Sequence, residues 1–533
     1  MSLVDGNDLI EAGWLPGPRF PEMLAAARGF EERGVADKQY ILKLLARDFE
    51  KAAPKLTPRD SPTPHAEAIE ATCEADEENI AAVRRHMRQL LRTPVIEAGA
   101  VMPDACPAGA GEATIPVGGA IAVKNAILPA AHSADICCSM YATVFRCGET
   151  TAAMLDALTA STRFGFGGRK HEDRHFHPVL EESVWSNKFL HGLEEHAAMH
   201  LADQGDGNHF AYLGKLRVNR AFTESLGAAG HESVAKPLHD AAGTALDDTD
   251  GATFYTLVTH HGSRGLGAQV YKRGHQAAIR ETARVAQGIP KAAAWLDTTT
   301  DLGQEYWDAL QYVGRWTRAN HQSIHARFLE RAGAKRVADF GNEHNFVWQR
   351  GGDTFLHGKG ATPAWRDAEG RPLLGLIPLN MAAPILVTLG RDNEEFLSFA
   401  PHGAGRNFSR TAILRQFRRD NGDLDEKRVA AAVDAATRGL DIRWYYGKPD
   451  LTESPLGYKS AAQVREQIER FALADIVAEV TPLGCLMAGD SGPAPWMRRK
   501  EELTPKQKRQ IEHRADRRRQ RQKMRGWDDS DEA

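Results

Sequence analysis

Five short polar islands stand out along this 533-residue chain: DICC at 135–138, GNHF at 207–210, HHGSRG at 260–265, EHNF at 343–346 and HGAGR at 402–406. Each carries a metal-ligating or nucleophilic residue type, and most set glycine or another small residue beside it. Glycine permits positive φ and lets backbone approach a ligand closely. Asp, Cys and several His in this pattern suit a metal site with a nucleophile next to it.

Asp135 precedes Cys138 by three residues, so a loop or half-turn can aim both at one ion. A thiolate can also bridge two ions, which one imidazole nitrogen cannot easily do. The competing reading is a buried, inert pair at Cys137 and Cys138. Asn208 and His209 lie side by side on a glycine-flanked turn. They suit a phosphate donor beside a metal ligand, and a turn histidine bonded to backbone fits equally. His260 and His261 follow the strand-like FYTLV. Side chains alternate along a strand, so only one of the two faces a given site. His260 is favoured, and His261 is read as structural. Arg264 could grip phosphate in bidentate fashion. His344 follows strand-like RVADF and is a further ligand candidate. Lys359 in HGKGAT is either an anion contact or a solvated loop lysine. His402 could serve as ligand, general base or covalent nucleophile toward phosphorus, with Arg406 placed to neutralise the phosphate.

The elements that must position these residues are legible in outline. Hydrophobic residues make up 42% and charged residues 26%, as in ordinary globular proteins. A net charge of −4 gives no whole-chain argument for nucleic acid. The six cysteines are too sparse for a disulfide framework. No apolar run is long enough to span a membrane, and no secretory signal is visible. A cytoplasmic, reducing compartment is expected, which leaves thiolates free for metal.

Apolar spacing over 20–51 predicts two helices, one carrying Met23, Leu24, Ala27 and Phe30, the other Tyr40, Leu42, Leu45 and Phe49. TPRDSPTP at 57–64 reads as a linker, and 66–91 as a third helix. From Pro94 onward, apolar runs broken by glycine have the texture of strands, with helices expected at 151–161, 304–333 and 461–476. The expected division is a helical extension and linker (1–65), a connecting helix (66–93), a mixed α/β catalytic body (94–490) and a basic tail (491–533). The fold class is α+β. The tail, with RRK, KQKRQ and RADRRRQRQKMR, reads either as a solvated charged segment or as an RNA-contacting arm.

At this point the chain resembles the RtcB RNA ligases. The stretches that carry the resemblance are MPDA, ILPAAHSADICCSM, DGNHF, HHGSRGLG, GQEY, EHNF, HGKGAT, HGAGR with its following SR, and a terminal PLG, in the family's order. The resemblance implies an enzyme that joins RNA 3′-phosphate or 2′,3′-cyclic phosphate ends to 5′-hydroxyl ends. It implies GTP and two Mn²⁺ ions as cofactors, although thiolate and imidazole ligands would on softness suit Zn²⁺ or Co²⁺. His402 is then the guanylylated nucleophile, and Asp104 of MPDA orients or activates it. Cys138 bridges two ions, Asp135 and His209 complete one metal site, and His260 and His344 complete the other. Asn208 contacts phosphate. RNA is the implied partner, with room for an activating protein.

The chain departs from the family around the nucleotide. Tyr212 stands where a guanine-reading glutamate is usual, and it could stack on a base instead. Pro378-Leu379-Asn380-Met381-Ala382-Ala383 replaces a PGSMGT-like loop. Cys106 replaces a histidine, and Met487 and Ala488 lie where a C-terminal lysine is expected. The expected nucleotide contacts are therefore Asn208, Tyr212, Lys359, Asn380, His402 and Arg406. Nucleotide preference not strictly for GTP is expected. Other readings are a metal-dependent phosphoesterase or nucleotidyl-transferring enzyme that has lost ligation, and an inactive RNA-binding relative.

Overall fold

The computed structural model describes residues 2–12, 14, 19–49, 55–109, 111, 113–165, 167–247 and 251–490. The expected basic tail at 491–533 lies outside the described residues. Helices form where the apolar spacing places them, at Phe20–Glu32 and Lys38–Asp48. Asp37 caps the second by accepting from the backbone N–H of Gln39 and Tyr40. Met23, Ala27, Ile41 and Leu45 close a small core with Val4, Leu9 and Trp14. Tyr40 is 52% exposed, and its neighbour Ile41 takes the inward position.

Residues 66–91 do not form one helix. His65–Glu67 is a strand paired in parallel with Ile96–Cys106, and the helix spans only Glu74–Leu90. Asp76 fixes its start by accepting from the backbone N–H and hydroxyl of Thr72. Glu74, Asp76 and Glu77 in its first turn also suit the positive end of the helix dipole. The 57–64 stretch is anchored: the Arg59 guanidinium donates to the carbonyls of Thr93, Pro94 and Ile96, just past that helix.

The architecture is α+β, built on two main sheets. The larger, eight-stranded sheet runs Lys335–Glu343, Ser139–Arg146, Ala252–His261, Phe210–Val218, Ala474–Met487, Ile385–Gly390, Leu374–Pro378. Asp441–Trp444 pairs off the Ala474–Met487 strand. Its first four strands are mutually antiparallel, with Ser139 opposite both His261 and Glu343, and Phe210 opposite His260. Antiparallel order puts the starts of two strands beside the ends of the other two. The five-stranded sheet runs His65–Glu67, Ile96–Cys106, Val117–Lys124, Thr354–Lys359, Asn345–Arg350. Ala361–Pro363 and Phe399–Pro401 form a short separate pair.

The helices expected at 151–161 and 304–333 are Thr151–Ser161 and Asp301–Arg331. The one expected at 461–476 ends at Arg470, and the Ala474–Met487 strand begins where β-branched Ile476, Val477 and Val480 favour extended chain. The 22-residue helix Arg264–Val285 was not anticipated, because Gly265, Gly267 and Gly274 lower its intrinsic propensity. Packing explains Gly274: any Cβ there would strike the Tyr306 ring. Among the described residues, no helix is long and apolar enough to cross a membrane.

A polar seam lies beneath the end of the large sheet. His321 bridges Ser139 and Thr259, and His325 bridges Thr259 and Thr143. Burial pushes His325 down to about 3. It does the same to His357, which accepts from the backbone N–H of Leu128, and takes His132 to about 4. In an unfolded chain these imidazoles titrate near about 6.5. Between those values the unfolded state binds more protons, so this stability is complete above about pH 6.5 and is lost as pH falls. Thermal unfolding from about pH 7 to about pH 4 should therefore show a falling Tm. The fall should be shallower in His325→Gln and His357→Gln, and a flat Tm in the parent would contradict the assignment.

Candidate metal centre and nucleophile

Strand register gathers four of the islands at one sheet end. Cys138 immediately precedes Ser139–Arg146, and His209 precedes Phe210–Val218. His260 lies at the end of Ala252–His261, and His344 follows Lys335–Glu343. The DICC segment is a half-turn in which the Cys138 N–H donates to the Asp135 carbonyl at 3.2 Å. It is stitched to the EHNF segment by His344 N–H to Cys138 O (2.9 Å) and Cys137 N–H to Asn345 O (2.6 Å). Ser133, Cys137 and Arg264 all take positive φ here, a conformation that costs a non-glycine residue about 1–3 kcal/mol. Gly262 is needed because a Cβ there would run into the Asp135 carboxylate.

The donor atoms converge. Cys138 Sγ lies 3.1 Å from His260 Nε2 and 3.6 Å from His209 Nε2. His260 Nε2 is 3.1 Å from His344 Nε2, and His209 Nε2 is 2.9 Å from Asp135 Oδ2. Two groups result, Cys138–His260–His344 and Asp135–Cys138–His209, and each could hold a metal ion. His260 Nδ1 donates to the Asn208 carbonyl at 3.0 Å, which leaves its Nε2 a lone pair aimed at a sulfur and a second ring nitrogen. A divalent cation between these atoms would accept their lone pairs together and replace these hydrogen bonds by coordination. Burial, then the Asp135 charge, pushes the Cys138 thiol well above its ordinary value. Burial, then His209, pushes His260 down to about 3. Burial opposes ionisation of Asp135, but His209 and Arg264 hold its carboxyl below the usual carboxylate range. His261 faces away from the cluster and stacks on His321 at 3.5 Å, as strand alternation requires.

The second half of the site comes from outside the large sheet, His402 from the short separate pair and Asp104 from the five-stranded sheet. His402 follows Phe399–Pro401, and Asp104 is wholly buried in Ile96–Cys106. The His402 Nδ1–H donates to Asp104 Oδ2 at 2.6 Å, and its backbone N–H donates to the same oxygen at 3.2 Å. A carboxylate only accepts, so Nδ1 carries a proton, and in the neutral ring Nε2 is the nitrogen that holds the lone pair. The His402 and His344 ring centroids are 4.9 Å apart. Gly405 has φ +71°, and any Cβ there would strike the Asp104 carbonyl, so only glycine lets the loop wrap this closely.

Cys138, His260, His344 and His402 open onto one cavity of about 310 Å³, which Phe210, Leu379, Met381, Ile385 and Met487 also line. Asn208, Lys359 and Asn380 also line it. The Lys359 ammonium donates to the Ile115 carbonyl at 3.2 Å, and burial brings it down to about 8.

Two expected contacts are corrected. Tyr212 is 1% exposed, and its hydroxyl donates toward the carbonyls of Val480 and Ala383, so it builds the cavity wall and offers no open face for stacking. Arg406 lines the cavity, but its guanidinium is already engaged by protein partners. It donates to Glu453 at 2.7 Å and to the Thr452 carbonyl, and lies over the Tyr458 ring. Glu453 also takes Arg410 at 2.6 Å, and Arg410 lines the same cavity with its side chain 55% exposed. The SR after HGAGR contains Arg410, but no local signal marks Glu453, 47 residues beyond Arg406.

A shared-thiol donor cluster facing a carboxylate-held imidazole defines the class of site. The tRNA-splicing ligase RtcB family matches residues 86–488. The chain belongs to the RtcB family. It is 26% identical over 326 residues to the tRNA-splicing ligase RtcB of Thermococcus kodakarensis, covering 55% of this chain and 60% of that protein. Against the tRNA-splicing ligase RtcB of Pyrococcus abyssi it is 27% identical over 263 residues, 43% of this chain and 27% of that protein. Against the RNA-splicing ligase RtcB of Escherichia coli K12 it is 25% identical over 352 residues, 60% of this chain and 76% of that protein. The match thus spans less than two thirds of the Thermococcus and Pyrococcus relatives.

Because the buried thiol stays protonated without a cation, metal uptake must release its proton, and affinity rises with pH. Titration of metal-stripped protein with Co²⁺ should give thiolate-to-cobalt charge-transfer absorption, stronger at about pH 8 than at about pH 6. The band should vanish in Cys138→Ser. A cobalt spectrum unchanged by that substitution would exclude a cysteine ligand.

Proposed function

We propose that this chain is an RNA ligase that joins 3′-phosphate or 2′,3′-cyclic phosphate ends to 5′-hydroxyl ends through a nucleotidyl-His402 intermediate. The observation that carries the reading is the free Nε2 of His402, held by Asp104 and opening onto the cavity of the shared-thiol cluster. Asp135, Cys138 and His209 would hold one divalent cation and Cys138, His260 and His344 the other, Mn²⁺ by family resemblance. Bound there, the cations would neutralise the crowded phosphates and polarise the one being transferred.

His402 Nε2 attacks the α-phosphorus of a nucleoside triphosphate; a P–N bond forms and pyrophosphate leaves. An oxygen of the RNA 3′-phosphate then takes the nucleotide, the P–N bond breaks, and His402 regains its neutral form. The RNA 5′-hydroxyl attacks the activated 3′-phosphorus, loses its proton, and expels the nucleoside monophosphate. A cyclic end must first be opened by water to a 3′-phosphate. Asp104 keeps the proton on Nδ1 throughout, so the reactive lone pair always faces the cavity. Asn208, Lys359 and Arg410 supply phosphate contacts. A reducing, cytoplasmic setting keeps Cys138 available as thiolate.

The base-binding side differs in chemistry. A carboxylate that accepts from guanine is worth roughly 1–3 kcal/mol of discrimination, and Tyr212 removes it. Labelling with α-labelled GTP and, separately, ATP in Mn²⁺ should mark the parent with both nucleotides, within about tenfold of one another. It should fail in His402→Ala and fall about 10²-fold or more in Asp104→Asn. Label persisting in His402→Ala would overturn the nucleophile. Strict rejection of ATP would overturn the relaxed base preference.

A further inference from the structure

The helix Glu74–Leu90 begins upstream of the family-matched segment, which starts at residue 86. Its first turns nevertheless reach the loop behind His402. Asn79 Nδ2 donates to the Asn407 carbonyl at 2.9 Å and lies 3.5 Å from the Arg406 carbonyl. Asp76, 2% exposed, uses one oxygen on Thr72 and turns the other to the Lys459 ammonium at 3.5 Å. Lys459, 5% exposed, then touches both halves of the dyad's support. Its ammonium donates to the carbonyl of Pro103, the residue before Asp104, at 3.3 Å. Its backbone N–H donates to the carbonyl of Gly405, three residues past His402, at 3.1 Å. Ile80, Val83 and Met87 pack the same helix into one core with Val101 and Ala105, so its first turns are firmly seated.

We infer that Asp76 and Asn79 are positioning residues for His402. The Glu74–Leu90 helix and Lys459 hold the 402–407 loop and Asp104 in mutual register, and so fix the direction in which Nε2 points. This deepens the ligase reading and rests on it for its activity readout. Misplacement of a reacting group by about 1 Å can cost about 10²-fold, and loss of a residue that orients a reacting one typically costs about 10–100-fold.

The test uses the full chain as Asp76→Asn, Asn79→Ala and the double variant, with exposed Glu77→Ala as control. Labelling of His402 is followed across nucleotide concentration, together with metal content, Tm and amide exchange of the 402–410 segment. In the double variant the limiting labelling rate should fall about 10–100-fold. Half-saturating nucleotide and metal content should stay at parent values and exchange at 402–410 should quicken, while Asn79→Ala alone, which leaves the Asp76–Lys459 pair intact, should show the same direction of change with Tm within a few degrees of the parent. Glu77→Ala should match the parent. Unchanged rate and exchange in a folded double variant would overturn the inference. So would a rate loss that merely tracks lost metal and lowered Tm. If the parent takes no label, the ligase reading fails, and the exchange result alone decides whether the helix holds the loop.

Discussion

The site depends on one sulfur. Cys138 Sγ is the atom common to both donor groups, and every other feature of the sheet end serves to bring imidazoles to it. Four antiparallel neighbours deliver two strand starts and two strand ends to one place, so ligands separated by more than 200 residues become mutual neighbours without a long loop. A thiol in that position has no good state by itself. It is too buried to ionise unaided, and as a thiol it can donate its single proton to only one of the ring nitrogens gathered around it. Cations resolve both problems together, which is why the cluster reads as a metal centre more than as a buried hydrogen-bond network.

The dyad obeys a different logic. Asp104 contributes no reacting atom; it accepts two hydrogen bonds from His402 and thereby decides which ring nitrogen is available. The two halves of the site sit on different sheets, so their relative placement depends on the contacts that cross between them. Within the dyad half, the ties from Lys459 and Asn79 to the 405–407 backbone hold the His402 loop against the Asp104 strand. A cavity lined by charged and polar groups together with an apolar set suits a ligand with a charged end and a flat, uncharged one.

Much of this was legible in the sequence because the decisive signals are local. Alternation along a strand separated His260 from His261, and the structure keeps that separation. The spacing of Asp135 and Cys138 suits a loop or a half-turn, and the chain forms the half-turn. What sequence could not carry were partnerships set by distant chain. Arg406 lines the cavity with its guanidinium paired to Glu453, a partner that no local signal in the sequence marks. Tyr212 looked like a stacking residue until its hydroxyl proved to be engaged by main-chain carbonyls in the core. The His65–Glu67 strand was hidden because three residues have no periodicity to read, and the Arg264–Val285 helix because its glycines answer to packing and not to propensity.

Ligation itself is tested most directly by following one atom. An RNA carrying labelled phosphorus only in its 2′,3′-cyclic phosphate terminus, and a 5′-hydroxyl at the other end, is incubated with protein, nucleotide and Mn²⁺. The account predicts a joined RNA whose new internal phosphodiester contains the label, formed only when nucleotide is present. Label released as inorganic phosphate, or held on unjoined ends after the protein has been nucleotidylated, would contradict the account and point to a phosphoesterase or a stalled nucleotidyl transferase on the same scaffold.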